Sequence, residues 1–238
     1  MTTFTFVAGV SPRTGSAQDF SMPMIQIAPD FAMSNLNREL LDRRNAAQND
    51  DNTNTSNAPA PLQLDRSVLR FTPDQGRRAE NMQGFLSQIR ESDPEGAAKL
   101  EAIFASADVM TMIADAMTSM GMDANNVADA YAVWWISSYQ ASQGSAKTPP
   151  RRQYQAVRQQ SEGALLSSKA MASASEAEKQ QFAEAYLLQA ALIDSGVQEM
   201  QPNPAQLDAL KTAVKKGALA SGLDLDRMIL TDKGFLAN

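Results

Sequence analysis

With 238 residues, 43% of them hydrophobic and 20% charged, the chain is long enough for one globular domain with a sizeable core and an additional segment. A formal charge of -6 and a pI near 4.8 argue against nucleic acid or an anionic membrane as partner, since either calls for a concentrated basic surface. Neither histidine nor cysteine occurs, which removes Ser-His triads, Cys-His dyads, disulfides and the usual zinc sites, and leaves carboxylates, Lys, Tyr and Ser/Thr for any catalysis.

No apolar run approaches the roughly 18 residues of a membrane-spanning helix, so no transmembrane segment is expected. Residues 1–19 pair a short apolar patch with Gly15-Ser16-Ala17, a small-residue series like the end of a secretory signal peptide, and the expectation is an exported protein, periplasmic or secreted. Residues 20–61 form an N-terminal arm and a linker. Pro23 and Pro29 deny the arm a helix despite Phe20, Met22, Met24, Phe31 and Met33. Leu36, Leu40 and Leu41 could support one short amphipathic helix, marginal by itself. The stretch QNDDNTNTSNAPAP has too little apolar surface to offset its ordering entropy and reads as a disordered linker.

The helical domain is expected over residues 62–238. Thr72-Pro73 reads as an N-cap with proline at the first helical position, ahead of a stripe of Met82, Phe85, Leu86 and Ile89. Asp93-Pro94 repeats the device before Leu100, Ile103 and Phe104. Asp108 caps VMTMIADAMTSM, which Gly121 ends. NNVADAYAVWWISSYQASQ follows, a helix apolar on two faces that needs neighbours on two sides. Gly144 closes it and Thr148-Pro149 opens the next, which carries Tyr154, Val157, Ala164 and Leu165 to about Ala172. Ser175 with Glu178 is a capping box ahead of Phe182, Tyr186, Ile193 and Val197. Asn203-Pro204 caps a last helix with Leu207, Leu210, Val214 and Gly217 inward, ended by Gly222. The tail should lie extended or turned on the bundle, with Leu223, Leu225, Met228 and Leu230 as anchors and a turn at 232–235. No strand is assigned. The whole is an all-α protein, a single bundle of about six to seven helices around a central Trp-Trp helix, with a poorly ordered N-terminal arm.

The segments DPEGAAKLEAIF, NNVADAYAVWWISSY, FAEAYLLQAALIDSGVQ and GLDLDRMILTDKGF together resemble an uncharacterised family of exported bacterial proteins, a domain of unknown function, over about residues 71–235. The most specific piece is Asn126-Val127-Ala128-Asp129-Ala130-Tyr131 with Trp134-Trp135. Members of that family begin with a signal peptide ending Ala-Gln-Asp, matched here by Ala17-Gln18-Asp19, so the resemblance implies export. It implies no activity, cofactor or catalytic residue.

Among candidate sites, Asp129 is the one charge inside the buried run. A desolvated carboxylate suits a general acid, although in the first turn of a helix capped by Asn126 it also suits the helix dipole. Asp115, Asp123, Glu184 and Asp194 are the acids that could converge on it. Tyr131, Trp134, Trp135 and Tyr139 could line a slot for a sugar or an apolar ligand or a protein partner, with core packing the commoner use of such rings. Met110, Met112, Met117, Met120 and Met122 admit soft copper coordination or a flexible groove, but form an ordinary core stripe as well. Asp224-x-Asp226 lacks the remaining ligands of a calcium loop, and Lys147, Arg151, Arg152 and Arg158 are a basic cluster. No cofactor or metal is implied. The function remains unknown at this level. The leading reading is a binding or assembly module, beside a carboxylate-only enzyme on a cell-envelope glycan and a carrier of a small apolar ligand between the Trp-Trp and Met-rich helices.

Overall fold

Side-chain oxygens set nearly every helix start. In a computed structural model describing residues 66–167, 171 and 173–238, the order is a short 3-10 turn, Arg66–Leu69, then α1 (Gln75–Ser92), α2 (Pro94–Ser106), α3 (Val109–Met120), α4 (Val127–Ser142), α5 (Arg151–Ser167), α6 (Glu176–Met200) and α7 (Pro204–Ala220). A second 3-10 turn, Leu225–Arg227, leads into strands β1 (Met228–Thr231) and β2 (Gly234–Ala237). The signal-like stretch, the arm and the linker lie outside the described residues. Asp93, Asp108, Asn126, Ser175 and Asn203 each accept from an amide of the first turn that follows, and Ser175 with Glu178 completes a capping box. Gly121 ends α3 in the left-handed conformation at φ 75°.

Two starts fall later than their prolines suggest. α1 is capped by Asp74, whose side chain accepts from the Arg77 amide, while Thr72 and Pro73 stay outside the helix. The reason is tertiary: the Thr72 amide donates to Glu176 at 2.8 Å, and the Gln180 side chain both accepts from the Asp74 amide and donates to the Asp74 carbonyl, holding this segment against the start of α6. α5 begins at Arg151 and not at Pro149, because Pro150 disfavours a helical conformation for the residue before it.

α4 is the axis. It packs along α6, α5 and α7, while α1 lies on α2 and α6, and α3 touches α6. Fourteen of its sixteen residues are buried. This answers the two apolar faces of its sequence: neighbouring residues point about 100° apart, so Trp134 and Trp135 need different covers. Trp134 packs on Tyr186 of α6 with ring centroids 4.9 Å apart. Trp135 stacks on Phe235 at 4.5 Å and 18°, and its indole N–H donates to the Met228 sulfur at 3.3 Å.

That second cover is a structure the sequence did not announce. The tail forms an antiparallel hairpin pairing Leu230 with Phe235 and Thr231 with Gly234. Gly234 takes φ 94°, open to glycine, and a Cβ there would run into the Gln160 amide. Gln160 occupies that space because it acts as a third strand: its amide donates to the Phe235 carbonyl and accepts from the Phe235 N–H, both at 2.8 Å. Leu223, Leu225 and Met228 are buried as anchors, Leu230 is half-buried, and Phe235 is a further anchor as fully buried as Leu223. On α7 the inward position is Ala218, not Gly217, continuing the stripe from Leu210 and Val214.

Candidate functional site

Asp129 is shaped by the turn before its own helix. Asn126 accepts from the Ala128 and Asp129 amides, which brings the Asp129 side chain back under the preceding loop, where one carboxylate oxygen accepts from the Asp123 N–H at 2.8 Å. The other oxygen faces the Arg158 Nε of α5 at 3.6 Å, outside hydrogen-bond distance, and among the described residues neither atom makes a hydrogen bond. Burial pushes the Asp129 carboxyl up to about 6; the Asp123 N–H and Arg158 pull it down, and the charges of Asp123 and Glu162 push it further up. With 2% of its surface exposed, Asp129 is enclosed between its own loop and α5. It ties the α4 cap to α5.

Of the acids expected near Asp129, Asp123 lies beside it and the others go elsewhere. Glu184 is buried and satisfied: it accepts from Arg78 at 3.0 Å, Asn81 at 2.7 Å and Gln180 at 3.0 Å, a clamp between α1 and α6. Asp115 is exposed on α3. Asp224 caps the turn that follows it, and Asp226 pairs with Lys215 at 2.6 Å. Among the described residues no three acidic side chains are placed to hold a metal ion. The basic cluster disperses in the same way. Arg158 turns to Asp129, Arg152 pairs with Asp232 at 2.6 Å, and Arg151 lies against Gly121 at the end of α3, where a cation suits the helix dipole.

The rings of α4 make an enclosed cluster. Tyr131, Trp134 and Trp135 are at most 2% exposed. Tyr131 meets Trp134 at 5.5 Å and Tyr186 edge-on at 5.3 Å, and half-buried Tyr139 meets Phe235 edge-on at 5.2 Å. Among the described residues these rings pack chiefly on one another, and Tyr139 alone of the four is half-buried. The Trp134 Nε1 and the Ser138 hydroxyl, one turn apart, make no hydrogen bond among the described residues. Of the methionines, Met110, Met117 and Met122 are buried, whereas Met112 is 41% exposed and off the stripe.

Space appears on another side of α4. A pocket of about 180 Å³ lies between α3, α4 and α6, walled by Ile113, Met117, Val133, Ile136, Leu187 and Ala191. The 145–149 segment and Tyr154 of α5 complete it. Among the polar residues that also line it, Ser137 and Asp194 are bonded to each other. Buried Ser137 donates its hydroxyl to Asp194 of α6 at 3.1 Å, eight residues and about 12 Å along α4 from Asp129. Desolvation by the protein around it pushes the Asp194 carboxyl up to about 7, against the lowering effect of the Ser137 bond, although the residue itself is exposed. Its charge in turn raises the hydroxyl of nearby Tyr154, after the larger effect of burial.

Sequence reasoning named Asp194 as a partner for Asp129 and did not single out Ser137. The usable signals were small: serines at 137 and 138 directly after the large apolar residues of α4, and Ala190-Ala191 at helical spacing before Asp194, side chains too small to fill the gap to α3.

A model for the "Family of unknown function (DUF6683)" matches residues 11–238, beyond both ends of the 71–235 span on which the resemblance was seen. No curated protein and no solved structure matches the chain. With almost its full length covered, from the arm through the Trp-Trp helix to the C-terminal hairpin, the chain belongs to this family of unknown function.

Proposed function

We propose that the protein is a binding module for a small molecule with an apolar body, taken up in the pocket between α3, α4 and α6. One observation carries the reading: a recess of about 180 Å³ with an apolar wall from three helices, lined also by a hydrogen-bonded carboxylate and hydroxyl. Mostly apolar walls with few oriented polar groups are the usual makeup of small-ligand sites, and a cavity of about 150 Å³ accepts a molecule the size of benzene. Catalysis on a glycan finds less support, since Asp129 is sealed from solvent and the aromatic rings are packed on each other.

The test is thermal unfolding with small aromatic and aliphatic probes in excess. A ligand that binds only the folded state raises Tm with its concentration. A saturable rise in the native chain that disappears when Ala191→Leu fills the recess supports the reading; no rise with any probe, or an equal rise in that variant, ends it. Export belongs to the same proposal, motivated by Gly15-Ser16-Ala17 and Ala17-Gln18-Asp19. N-terminal sequencing should find cellular material outside the cytosol starting at Gln18, and intact Met1 in a purely cytosolic pool would remove that part.

A further inference from the structure

We propose that the ligand of this pocket is a cation, a small amine or ammonium on an apolar body, with its charge held at Asp194 beside the ring of Tyr154. The inference rests on the binding reading above and adds the head group.

Ser137, itself 4% exposed, donates to one Asp194 carboxylate oxygen and so orients the group in the lining of the recess. Among the described residues no Lys or Arg forms an ion pair with Asp194, although Arg70, Arg78, Arg90, Arg152, Arg158, Lys179, Lys211 and Lys215 each have an acidic partner. In its ionised form, the carboxylate therefore presents to an entering group a negative charge that no described Lys or Arg pairs with. Tyr154 lines the same recess, mostly buried, and is close enough for the Asp194 charge to act on its hydroxyl. A carboxylate with an aromatic ring at hand is the pairing that recognises ammonium groups, by a charge-assisted hydrogen bond on one side and ring attraction on the other.

The competing chemistries fit less well. An anion entering the recess would meet the Asp194 charge. A neutral donor would gain one hydrogen bond without the charge. Lys147 is the opposing feature: it lines the rim on the 145–149 segment, but it is exposed and can turn its ammonium to water. The apolar walls of Ile113, Met117, Val133 and Leu187 take the body of the ligand, and their size sets it near a single ring or a short alkyl chain.

Three probes of one shape decide the matter: benzylammonium, benzyl alcohol and benzoate, titrated calorimetrically into the full chain. Benzylammonium should bind about tenfold tighter than benzyl alcohol, the size expected when a hydrogen bond gains a full charge. Asp194→Asn should erase that advantage while leaving benzyl alcohol within about twofold, and Ala191→Leu should abolish binding of both. Equal binding of all three, or benzoate the tightest, overturns the cation and leaves the pocket reading intact. An amine preference that survives in Asp194→Asn, or amine binding that survives in Ala191→Leu, overturns the cation site as drawn. If none of the three binds, the pocket reading falls and takes this inference with it.

Discussion

Helix α4 presents two unlike sides to its neighbours. Toward α6 and the hairpin its large rings interlock: Trp134 meets Tyr186, Trp135 meets Phe235, and Tyr131 bridges toward both indoles. Toward α3 it shows Val133, Ile136 and Ser137, opposite Ala116 of α3 and Ala190 and Ala191 of α6, and the side chains do not meet. The difference teaches that one helix can be both the anchor of a fold and the wall of a site. Packing on the aromatic side fixes where the backbone runs, so small residues on the other side leave room without letting the helices collapse into it. The anchoring side tolerates little change, and the open side tolerates much.

The sharpest way to break this comparison is to empty the closed side. Trp134→Ala should cost about 3–5 kcal/mol by chemical denaturation, because it removes a ring covered on every face and leaves a cavity behind. A loss below about 1 kcal/mol would show that the ring cluster does not hold α4 in place.

The next effect is electrostatic and arises at the start of the same helix. Because the Asp129 carboxyl is raised to about 6 by burial, against an ordinary 3.8, the folded chain keeps a proton between those values that the unfolded chain has released. Stability from this group therefore falls as pH rises from about 4 through 6, by no more than about 3 kcal/mol, and the full penalty applies above that window. Asp194, also raised, acts in the same direction. The lowered carboxyls of Asp108, Glu176, Glu178 and Asp232 act oppositely, contributing stability that is lost only as pH falls below their ordinary range. Urea midpoints from pH 4 to 7 should fall with pH, and Asp129→Asn should flatten the slope. An unchanged slope in that variant would remove Asp129 as its source.

The smallest effect sharpens the contrast from the open side. Ala191→Leu places a larger apolar side chain into existing space, so the melting temperature should stay close to that of the native chain, a change within about 1 kcal/mol. Overpacking a closed core instead costs about 1–3 kcal/mol, and a loss of that size here would mean that the recess closes in solution.

Much of this architecture was legible from local chemistry. Asp93, Asp108, Asn126, Ser175 and Asn203 declare helix starts because a cap acts within four residues, and Gly121 and Gly222 declare ends because a left-handed turn needs glycine. The burial of Trp134 and Trp135 followed from helical periodicity, which also required two covers. Nothing in the periodicity said what the covers would be. The start of α1 moved to Asp74 through a contact with Glu176 and Gln180, more than a hundred residues away, and the hairpin formed because Gln160 of α5 supplies its third edge and Trp135 a ring for Phe235 to stack on.

The candidate site was less legible than the fold. Asp129 announced itself as a lone charge in an apolar run and Asp123 is its local partner, but Arg158 reaches it only when α4 and α5 pack. Ser137 and Asp194 lie 57 residues apart and become neighbours only across the α4–α6 contact. What the sequence alone determined, then, is which segments are helical, where most of them begin and end, and that the Trp-Trp helix is central, all consequences of interactions a few residues long. Tertiary structure alone decided which side of that helix is filled and which is open, because a recess is a mismatch between the side chains of separate elements and is carried by none of them singly.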